Sequence, residues 1–275
     1  MNPPGDDPVT PSPWQALRAH TPARIALGRA GNALPTDEVL RFGWAHASAR
    51  DAIHAPLDVD ALAAALHAQG WATLRARSQA TDRATYLRRP DLGRRLDPEA
   101  AALLSKAANG GAVDLAIVIG DGLSALAAAR HAAPLLAALH DKLPAGLRIA
   151  PAVLATQARV ALADEIGALL GARLAVMLLG ERPGLSAPDS LGIYITHAPR
   201  PGLPDALRNC ISNVRPEGLP VDAAAARLAW LVREALRRGV TGVALKDESE
   251  HAALSSEAAS GPADPRPSFA ARDRP

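Results

Sequence analysis

The stretch "VDLAIVIGDGLSALA", residues 113–127, decides the fold class of this chain. It begins as a short apolar run rich in β-branched residues, which is typical of a buried strand. The run stops at Gly120, a glycine turn follows, and the small apolar residues after Ser124 favour a helix. Strand, tight turn and helix in this order form the repeating unit of an α/β fold.

The same order of strand, turn and helix recurs towards the C-terminus, so we predict short strands and helices in alternation. Candidate strands lie at residues 147–157, 173–180 and 191–196, and candidate helices at residues 160–171 and 222–239. Pro151 places the first of these strands at a sheet edge or a bulge, because proline cannot donate a ladder hydrogen bond. Residues 241–247 are a candidate last strand. We therefore predict an α/β class, with a Rossmann-like, mostly parallel sheet covered by helices and preceded by a helical N-terminal region.

Four segments are predicted along the chain. Apolar residues recur at helical spacing over residues 14–70, where Thr36 is a predicted N-cap, and the basic stretch 78–96 indicates an arm. Asp222 is predicted to cap the last helix. The segments are a flexible N-terminus at 1–13, a helical N-terminal region and connecting arm at 14–110, a Rossmann-like domain at 111–247 and a disordered tail at 248–275.

Composition excludes several classes of function. The formal net charge of +2 favours neither nucleic acid nor an acidic membrane surface as a partner. The single cysteine, Cys210, excludes an intrachain disulfide and any thiolate-based zinc or iron–sulfur site made by this chain alone. No apolar run approaches the ~20 residues that span a bilayer, and the N-terminus has no apolar signal region. We expect a soluble intracellular protein with no nucleic-acid or membrane partner.

Candidate binding residues cluster where predicted strands end, since ligands of α/β sheets sit outside the carboxyl ends of the strands. Gly120, Asp121, Gly122 and Ser124 form a turn at the start of a helix, whose N–H groups could cradle a phosphate or the polar tail of a cofactor. Neither a dinucleotide-binding nor a P-loop glycine motif is present, and Asp121 would repel a phosphate. A tight turn with an aspartate cap explains the same residues equally well.

Two residues of the following region are candidates for ligand contacts. Glu181 follows a predicted strand and offers an ionised acceptor, although an exposed acid paired with an arginine fits it too. Cys210 is either a buried small apolar side chain or, with His197 or Arg208 nearby, an activated thiolate. The histidines lack metal-ligand spacing, and no set of nucleophile, acid and base is complete. That absence suits a subunit that binds a cofactor while another chain carries out the chemistry.

Several motifs resemble those of one enzyme family. "IVIGDGLSALA" (117–127), "GERPGLS" (180–186) and "RNCISN" (208–213), within a similarity that covers residues 14–247, resemble the small (light) subunit of ethanolamine ammonia-lyase. The resemblance implies a subunit of an adenosylcobalamin-dependent lyase that converts ethanolamine to acetaldehyde and ammonia by radical chemistry. It also implies a hetero-oligomer in which a large barrel subunit binds ethanolamine and the small subunit covers the cobalamin at their interface.

The resemblance carries three cofactor-binding residues over to this sequence: Val160, Glu181 and Cys210. It implies no catalytic residue and no metal ligand in this chain. Because the Asp-x-His-x-x-Gly run of base-off cobalamin enzymes is absent, it implies base-on cobalamin, with no histidine of this chain on cobalt. It places the protein in the bacterial cytoplasm. Some relatives use an N-terminal helical segment as an address for a bacterial microcompartment, and the short amphipathic stretch at residues 13–20 leaves encapsulation open.

Two other functions are retained as alternatives. One is a stand-alone α/β enzyme that uses a nucleotide cofactor, with Asp121 and Glu181 as its working groups. The other is a binding or scaffold protein without a role in the lyase. Activity in the absence of a partner chain would favour the stand-alone enzyme.

Overall fold

A computed structural model describes residues 8–108 and 111–250 of the chain. Within these residues, six strands form one sheet: β1 (Thr73–Arg77), β2 (Val113–Gly120), β3 (Ala152–Thr156), β4 (Ala172–Gly180), β5 (Leu191–His197) and β6 (Arg208–Val214). The α-helices are α1 (Thr36–His54), α2 (Val59–Ala68), α3 (Arg83–Arg88), α4 (Pro98–Ala107), α5 (Ala125–His140), α6 (Leu162–Leu169) and α7 (Val221–Arg238). Short 3₁₀ helices lie at Gln15–His20, Leu92–Arg94, Asp205–Leu207 and Gly242–Ala244. Most of the predicted flexible N-terminus and disordered tail lies outside the described residues.

The sheet is mixed, with the strand order β1-β3-β2-β4-β5-β6. β1, β3, β2 and β4 run parallel, whereas β5 is antiparallel to both β4 and β6. The α/β class is confirmed, and its parallel part is the half in which strands and helices alternate. The other half differs because only residues 181–190 connect β4 to β5, which is too few for a helical crossover between parallel strands.

Helices cover both faces of the central strands. α2, α5 and α7 pack against one face, and α4 and α6 pack against the other. Residues 115–119 of β2 are fully buried, as expected for a parallel strand covered on both sides. In the β5–β6 hairpin, Ile193, Ile195 and Ile211 face the core beneath α7. Tyr194 and Cys210 point to the opposite face.

The strands correct the sequence predictions in three ways. β1 and β6 were not predicted, since β1 lies within the stretch assigned to helices and an arm, and β6 contains the "RNCISN" motif. β3 is not an edge strand, because it lies between β1 and β2. It begins just after Pro151, so the proline does not interrupt the ladder. The candidate strand at residues 241–247 is wrong, since Gly242–Ala244 form a 3₁₀ turn.

Two predicted helix caps are also wrong. Pro35 precedes α1 and Pro220 precedes α7, and neither Thr36 nor Asp222 makes a capping hydrogen bond. A proline fixes the backbone φ before the first turn, and so it can start a helix without a side-chain acceptor. Gly239 ends α7 in the left-handed conformation, with a φ of 70°, as predicted. Among the described helices, none is long and apolar enough to cross a membrane.

The carboxyl ends of β2, β3 and β4 meet at one edge of the sheet, where two glycines let the chain segments touch. The N–H of Leu123 donates to the carbonyl of Gly180 at 2.9 Å. A Cβ on Gly180 would lie 1.9 Å from the carbonyl oxygen of Ser124, and Gly122 adopts a φ of 58° in the same contact. Only glycine tolerates both the close approach and the positive φ. The turn after β2 is thereby pressed against the end of β4.

Candidate functional site

An open cavity of about 740 Å³ lies at this edge of the sheet. Its walls come from the segments that follow β3 and β4, from the arm before α4, and from the face of the β5–β6 hairpin that carries Tyr194 and Cys210. Val160, Glu181, Tyr194, Arg208 and Cys210 are among the side chains that line it.

Glu181, the first residue after β4, ties the ends of three strands together. Its carboxylate accepts hydrogen bonds from the hydroxyl of Ser190, from the hydroxyl of Ser212 at 2.6 Å and from the N–H of Asn213 at 3.3 Å. A Cβ on Gly192 would lie 2.9 Å from Oε1 of Glu181, so a glycine there makes room for the carboxylate. The structure therefore does not support the alternative of an exposed acid paired with an arginine, since hydroxyls and a backbone amide hold this group among the described residues.

Cys210 lies beside Tyr194 on one face of the hairpin, where the two residues pair across β5 and β6. The thiol is exposed to the cavity, so the expectation of a buried apolar cysteine is wrong. The protein atoms around the sulfur nevertheless raise its pKa by desolvation, and the negative charge of Glu181 raises it further. His197 lies at the far end of β5, beside the start of β4. Cys210 is therefore a protonated thiol without a base, and not an activated nucleophile.

Arg208 is buried in an ion pair and is not free to activate the thiol. Its Nη1 lies 2.6 Å from Oδ1 of Asp164 and donates to Oγ1 of Thr196 at 3.1 Å. Its Nε contacts Asp205 at 3.2 Å. The side chains of Arg208 and Asp164 are 3% and 1% exposed, and burial raises the pKa of Asp164 while the charge of Arg208 opposes that rise. This ion pair connects α6 to β6 of the hairpin.

Val160 lies in the loop between β3 and α6, and Asp121 holds that loop from behind. The carboxylate of Asp121 accepts from the N–H groups of Gln157 and Ala158, each at 2.9 Å, and lies 3.6 Å from the guanidinium of Arg83. Burial raises the pKa of Asp121, and the two backbone hydrogen bonds oppose that effect. Because both oxygens of Asp121 face the protein, this residue positions the cavity wall and does not belong to it.

Ser124, not Asp121, caps the helix that follows β2. Its Oγ accepts from the N–H of Ala127 at 3.3 Å and donates to the carbonyl of Pro188 at 2.7 Å. The predicted aspartate cap is therefore wrong, although a tight structural turn is the correct description of residues 120–124. Within that turn, Leu123 is the residue that lines the cavity. The turn anchors the 181–190 segment to α5 and presents no open phosphate cradle.

The cavity also includes arginines that the sequence analysis did not select, namely Arg94, Arg159 and Arg182. Cζ of Arg159 lies 4.3 Å from the ring centroid of Tyr86, and its Nη2 donates to the carbonyl of Tyr86 at 3.3 Å. These residues belong to an arm and to two loops that are distant in sequence, so no local pattern connects them. Only the fold brings them to one wall.

The structure places Val160, Glu181 and Cys210 around the same cavity, although they come from a loop, a strand end and a strand interior. It places Asp121 behind that cavity. One sequence signal could have predicted β6 and its cavity-lining side chains. Arg208, Cys210 and Ser212 alternate with residues of the other face at the period of a strand.

Comparison with known proteins decides the family. The profile of the family described as ethanolamine ammonia-lyase light chain (EutC) matches residues 11–246. The chain belongs to the ethanolamine ammonia-lyase light-chain family. The match to this light-chain family covers the N-terminal helices as well as the sheet, and it confirms the resemblance seen in the motifs.

Individual relatives in the light-chain family agree over nearly their whole length. The chain is 61% identical over 258 residues to the "Ethanolamine ammonia-lyase small subunit" of Azotobacter vinelandii, covering 93% of this chain and 95% of that protein. It is 61% identical over 245 residues to the protein of the same name from Ralstonia nicotianae, covering 88% and 91%. It is 56% identical over 253 residues to that of Pseudomonas putida strain GB-1, covering 91% and 93%. The chain therefore belongs to a family whose members are small subunits of a lyase.

Proposed function

We propose that this chain is the small subunit of an adenosylcobalamin-dependent ethanolamine ammonia-lyase, which converts ethanolamine to acetaldehyde and ammonia. The proposal rests on the cavity that Val160, Glu181 and Cys210 line together. The named relatives are small subunits of that enzyme, and a small subunit implies a large one. The small subunit would cover cobalamin at the interface of a hetero-oligomer in the bacterial cytoplasm, while the large subunit binds ethanolamine.

The residues of the cavity fit the chemistry of cobalamin. The corrin carries neutral amide side chains, and the nucleotide tail carries a ribose, a phosphodiester and dimethylbenzimidazole. A carboxylate has about four lone-pair sites, and Glu181 uses three of them within the chain, so one stays available for an amide or hydroxyl donor. Val160, Tyr194 and Cys210 offer apolar contact. Arg159 also lines this wall, and its guanidinium has no carboxylate partner among the described residues.

The cavity and the surface of the chain suit a shared binding site. An open cavity of about 740 Å³ is smaller than cobalamin, so the chain would cover one part of the cofactor and leave the rest to its partner. Large apolar side chains also remain exposed on α1, including Val39, Leu40, Phe42 and Trp44. Exposed apolar surface of this kind is typical of chains that meet a partner.

The chemistry of the cavity residues indicates which role this subunit has in the complex. Adenosylcobalamin supplies the radical chemistry when it is bound. In the described part of this chain, the cavity combines a protonated thiol, a hydrogen-bonded carboxylate and a buried ion pair, which bind and orient but do not transfer protons. No described histidine lines the cavity, which supports base-on binding. We therefore assign cofactor binding to this chain and no catalytic residue.

The stand-alone enzyme is less well supported. It needs Asp121 as a working group, but that carboxylate is 3% exposed and both its oxygens accept backbone hydrogen bonds. Encapsulation in a bacterial microcompartment is a separate hypothesis, resting on the amphipathic stretch that forms the Gln15–His20 3₁₀ helix. Loss of co-sedimentation with microcompartment shells after deletion of residues 1–20 would support it.

The test is a reconstitution. This chain alone, a matched large subunit alone, and a mixture of the two are each given ethanolamine and adenosylcobalamin, and acetaldehyde is measured. We expect release from the mixture only. Release by this chain alone would contradict the proposal and favour the stand-alone enzyme. A complex that binds cobalamin and releases no acetaldehyde would mean that the partner or the substrate has been misassigned.

A further inference from the structure

Some charged side chains around the cavity have partners within the chain, and others do not. Arg208 is paired with Asp164, and the carboxylate of Glu181 is held by hydroxyl and amide donors. Arg159, by contrast, has no carboxylate within ion-pair distance among the described residues, and its Nε has no hydrogen-bond partner there. Arg94 has only a loose contact with Asp205, at 3.6 Å, in which both side chains are more than half exposed. Such an exposed pair contributes little, so both guanidiniums remain available to an anion.

Arg159 contacts Gly93, the residue that precedes Arg94, and the side chain of Arg159 is held in place. The N–H of Arg159 donates to the carbonyl of Gly93 at 2.9 Å, and a Cβ on Gly93 would lie 2.9 Å from Cγ of Arg159. The guanidinium of Arg159 stacks on the ring of Tyr86, whose hydroxyl in turn donates to the carbonyl of Ala158 at 3.0 Å. A guanidinium fixed before a ligand arrives loses little side-chain freedom on binding.

Arg182 lines the same cavity from a different direction. It follows β4, whereas Arg159 follows β3, and β2 lies between these two strands. Arg182 carries the same charge and also has no carboxylate partner among the described residues. It therefore offers a charge-matched comparison within one cavity.

We propose that Arg159 and Arg94 form a phosphate subsite, which takes the phosphodiester that links the corrin to the nucleotide tail of cobalamin. This rests on the proposed function, since it assigns one end of the same cavity. The phosphodiester is the one anionic group on the periphery of cobalamin, and paired guanidinium groups bind phosphate oxygens with charge-assisted hydrogen bonds. Glu181 and the hairpin then face the neutral parts of the ligand, so that the two ends of the cavity fix its orientation.

The test compares two corrinoids that differ only in the phosphate, dicyanocobinamide and dicyanocobinamide phosphate, on the complex of both subunits. Their dissociation constants are measured by equilibrium dialysis. We expect the wild-type complex to bind the phosphate form at least about tenfold more tightly, since hydrogen bonds to charged groups have that strength. Arg159→Gln and Arg94→Gln should each remove most of this preference and leave the affinity for dicyanocobinamide unchanged. Arg182→Gln, the control, should keep the preference.

Each other outcome has a defined meaning. If the wild-type complex binds neither corrinoid nor cobalamin, the proposed function itself fails. If it binds them, but Arg159→Gln and Arg94→Gln keep the wild-type preference or lower both affinities equally, only the phosphate subsite is overturned. An equal loss in Arg182→Gln also overturns it, because the effect is then general electrostatics. Arg94→Gln tests the subsite even if Arg159→Gln fails to fold, and Arg159→Lys should restore part of the preference by restoring the charge.

Discussion

At the scale of single residues, Glu181 has two roles, one in holding strand ends together and one in the cavity, and the two can be measured separately. Its carboxylate joins the ends of β4, β5 and β6 and also lines the cavity. We expect Glu181→Ala to weaken cobalamin binding by the complex by about 1–3 kcal/mol, because donors of the ligand and of the hairpin lose their acceptor. Isothermal titration with cyanocobalamin measures this, with Glu248→Ala, an exposed acid outside the cavity, as the control. An affinity equal to that of the control would remove Glu181 from the site.

The buried pair of Arg208 and Asp164 gives a second prediction at this scale. Replacing one partner leaves an uncompensated charge in a site that excludes water, which costs about 3–5 kcal/mol. Arg208→Met should therefore lower the free energy of unfolding by that amount, as measured by urea denaturation. The double variant Arg208→Met/Asp164→Leu should recover much of the loss, because no buried charge is then left unpaired. A double variant as unstable as the single one would show that packing, not charge, determines the effect.

At the scale of elements, the contact between the turn after β2 and the end of β4 depends on glycine. A Cβ at Gly180 would lie 1.9 Å from a backbone oxygen that cannot move without displacing the start of α5. We expect Gly180→Ala to destabilise the chain by more than about 2 kcal/mol through backbone strain. Gly43 is the matched control, since it lies in α1 with no atom within 4 Å of its Cβ position. Gly43→Ala should stabilise the chain by about 0.5–1 kcal/mol, and a loss of stability there would contradict this description of α1.

The start of β2 carries a pH-dependent contact that the stability curve should reveal. The carboxylate of Asp114 accepts from the N–H of Arg148 and pairs with Arg173, each at 3.0 Å. The hydrogen bond from Arg148 and then that from Arg173 hold the pKa of Asp114 below its usual range. A lowered pKa in the folded state stabilises the protein above the unfolded pKa of about 3.9, and the effect disappears as pH falls through the folded pKa.

We therefore expect Asp114→Asn to be less stable than the wild type at pH 7, by about 1–2 kcal/mol, and this difference to shrink as the pH falls below the unfolded pKa of Asp114. Urea denaturation at several pH values measures the difference between the two proteins. A difference that does not change with pH would show that Asp114 contributes by shape and not by charge.

At the scale of the whole molecule, stability is unevenly distributed. α1 buries only Glu38, Ala45, Ala49 and Ala52, whereas α5 buries nine residues against the sheet. Regions with few buried apolar contacts open locally at low free energy. We expect the amides of α1 to exchange with deuterium well before those of α5 in the isolated chain, as measured by mass spectrometry. Equal protection of the two helices would mean that α1 is held by contacts other than the observed ones.

The N-terminal part also shows why the strand count was too low. β1 is short, carries arginines at Arg75 and Arg77, and has a largely exposed surface, as an edge strand can. Strand periodicity is weak in such a segment, and only its pairing with β3 identifies it. β6, the other edge strand, alternates at the period of a strand, but polar residues lie on both of its faces, so its apolar pattern is weak.

The sequence by itself determined the α/β class, the central strands β2 and β4, the helices around them and the family, because these follow from local apolar patterns and motifs. The tertiary structure decided what depends on contacts between distant segments. It turned β5 and β6 into an antiparallel hairpin, since the connections are too short for crossovers. It buried Asp121 behind the cavity, and it brought Arg159 against Gly93 and Tyr86. Burial and proximity of this kind are properties of packing, and no short stretch of sequence encodes them.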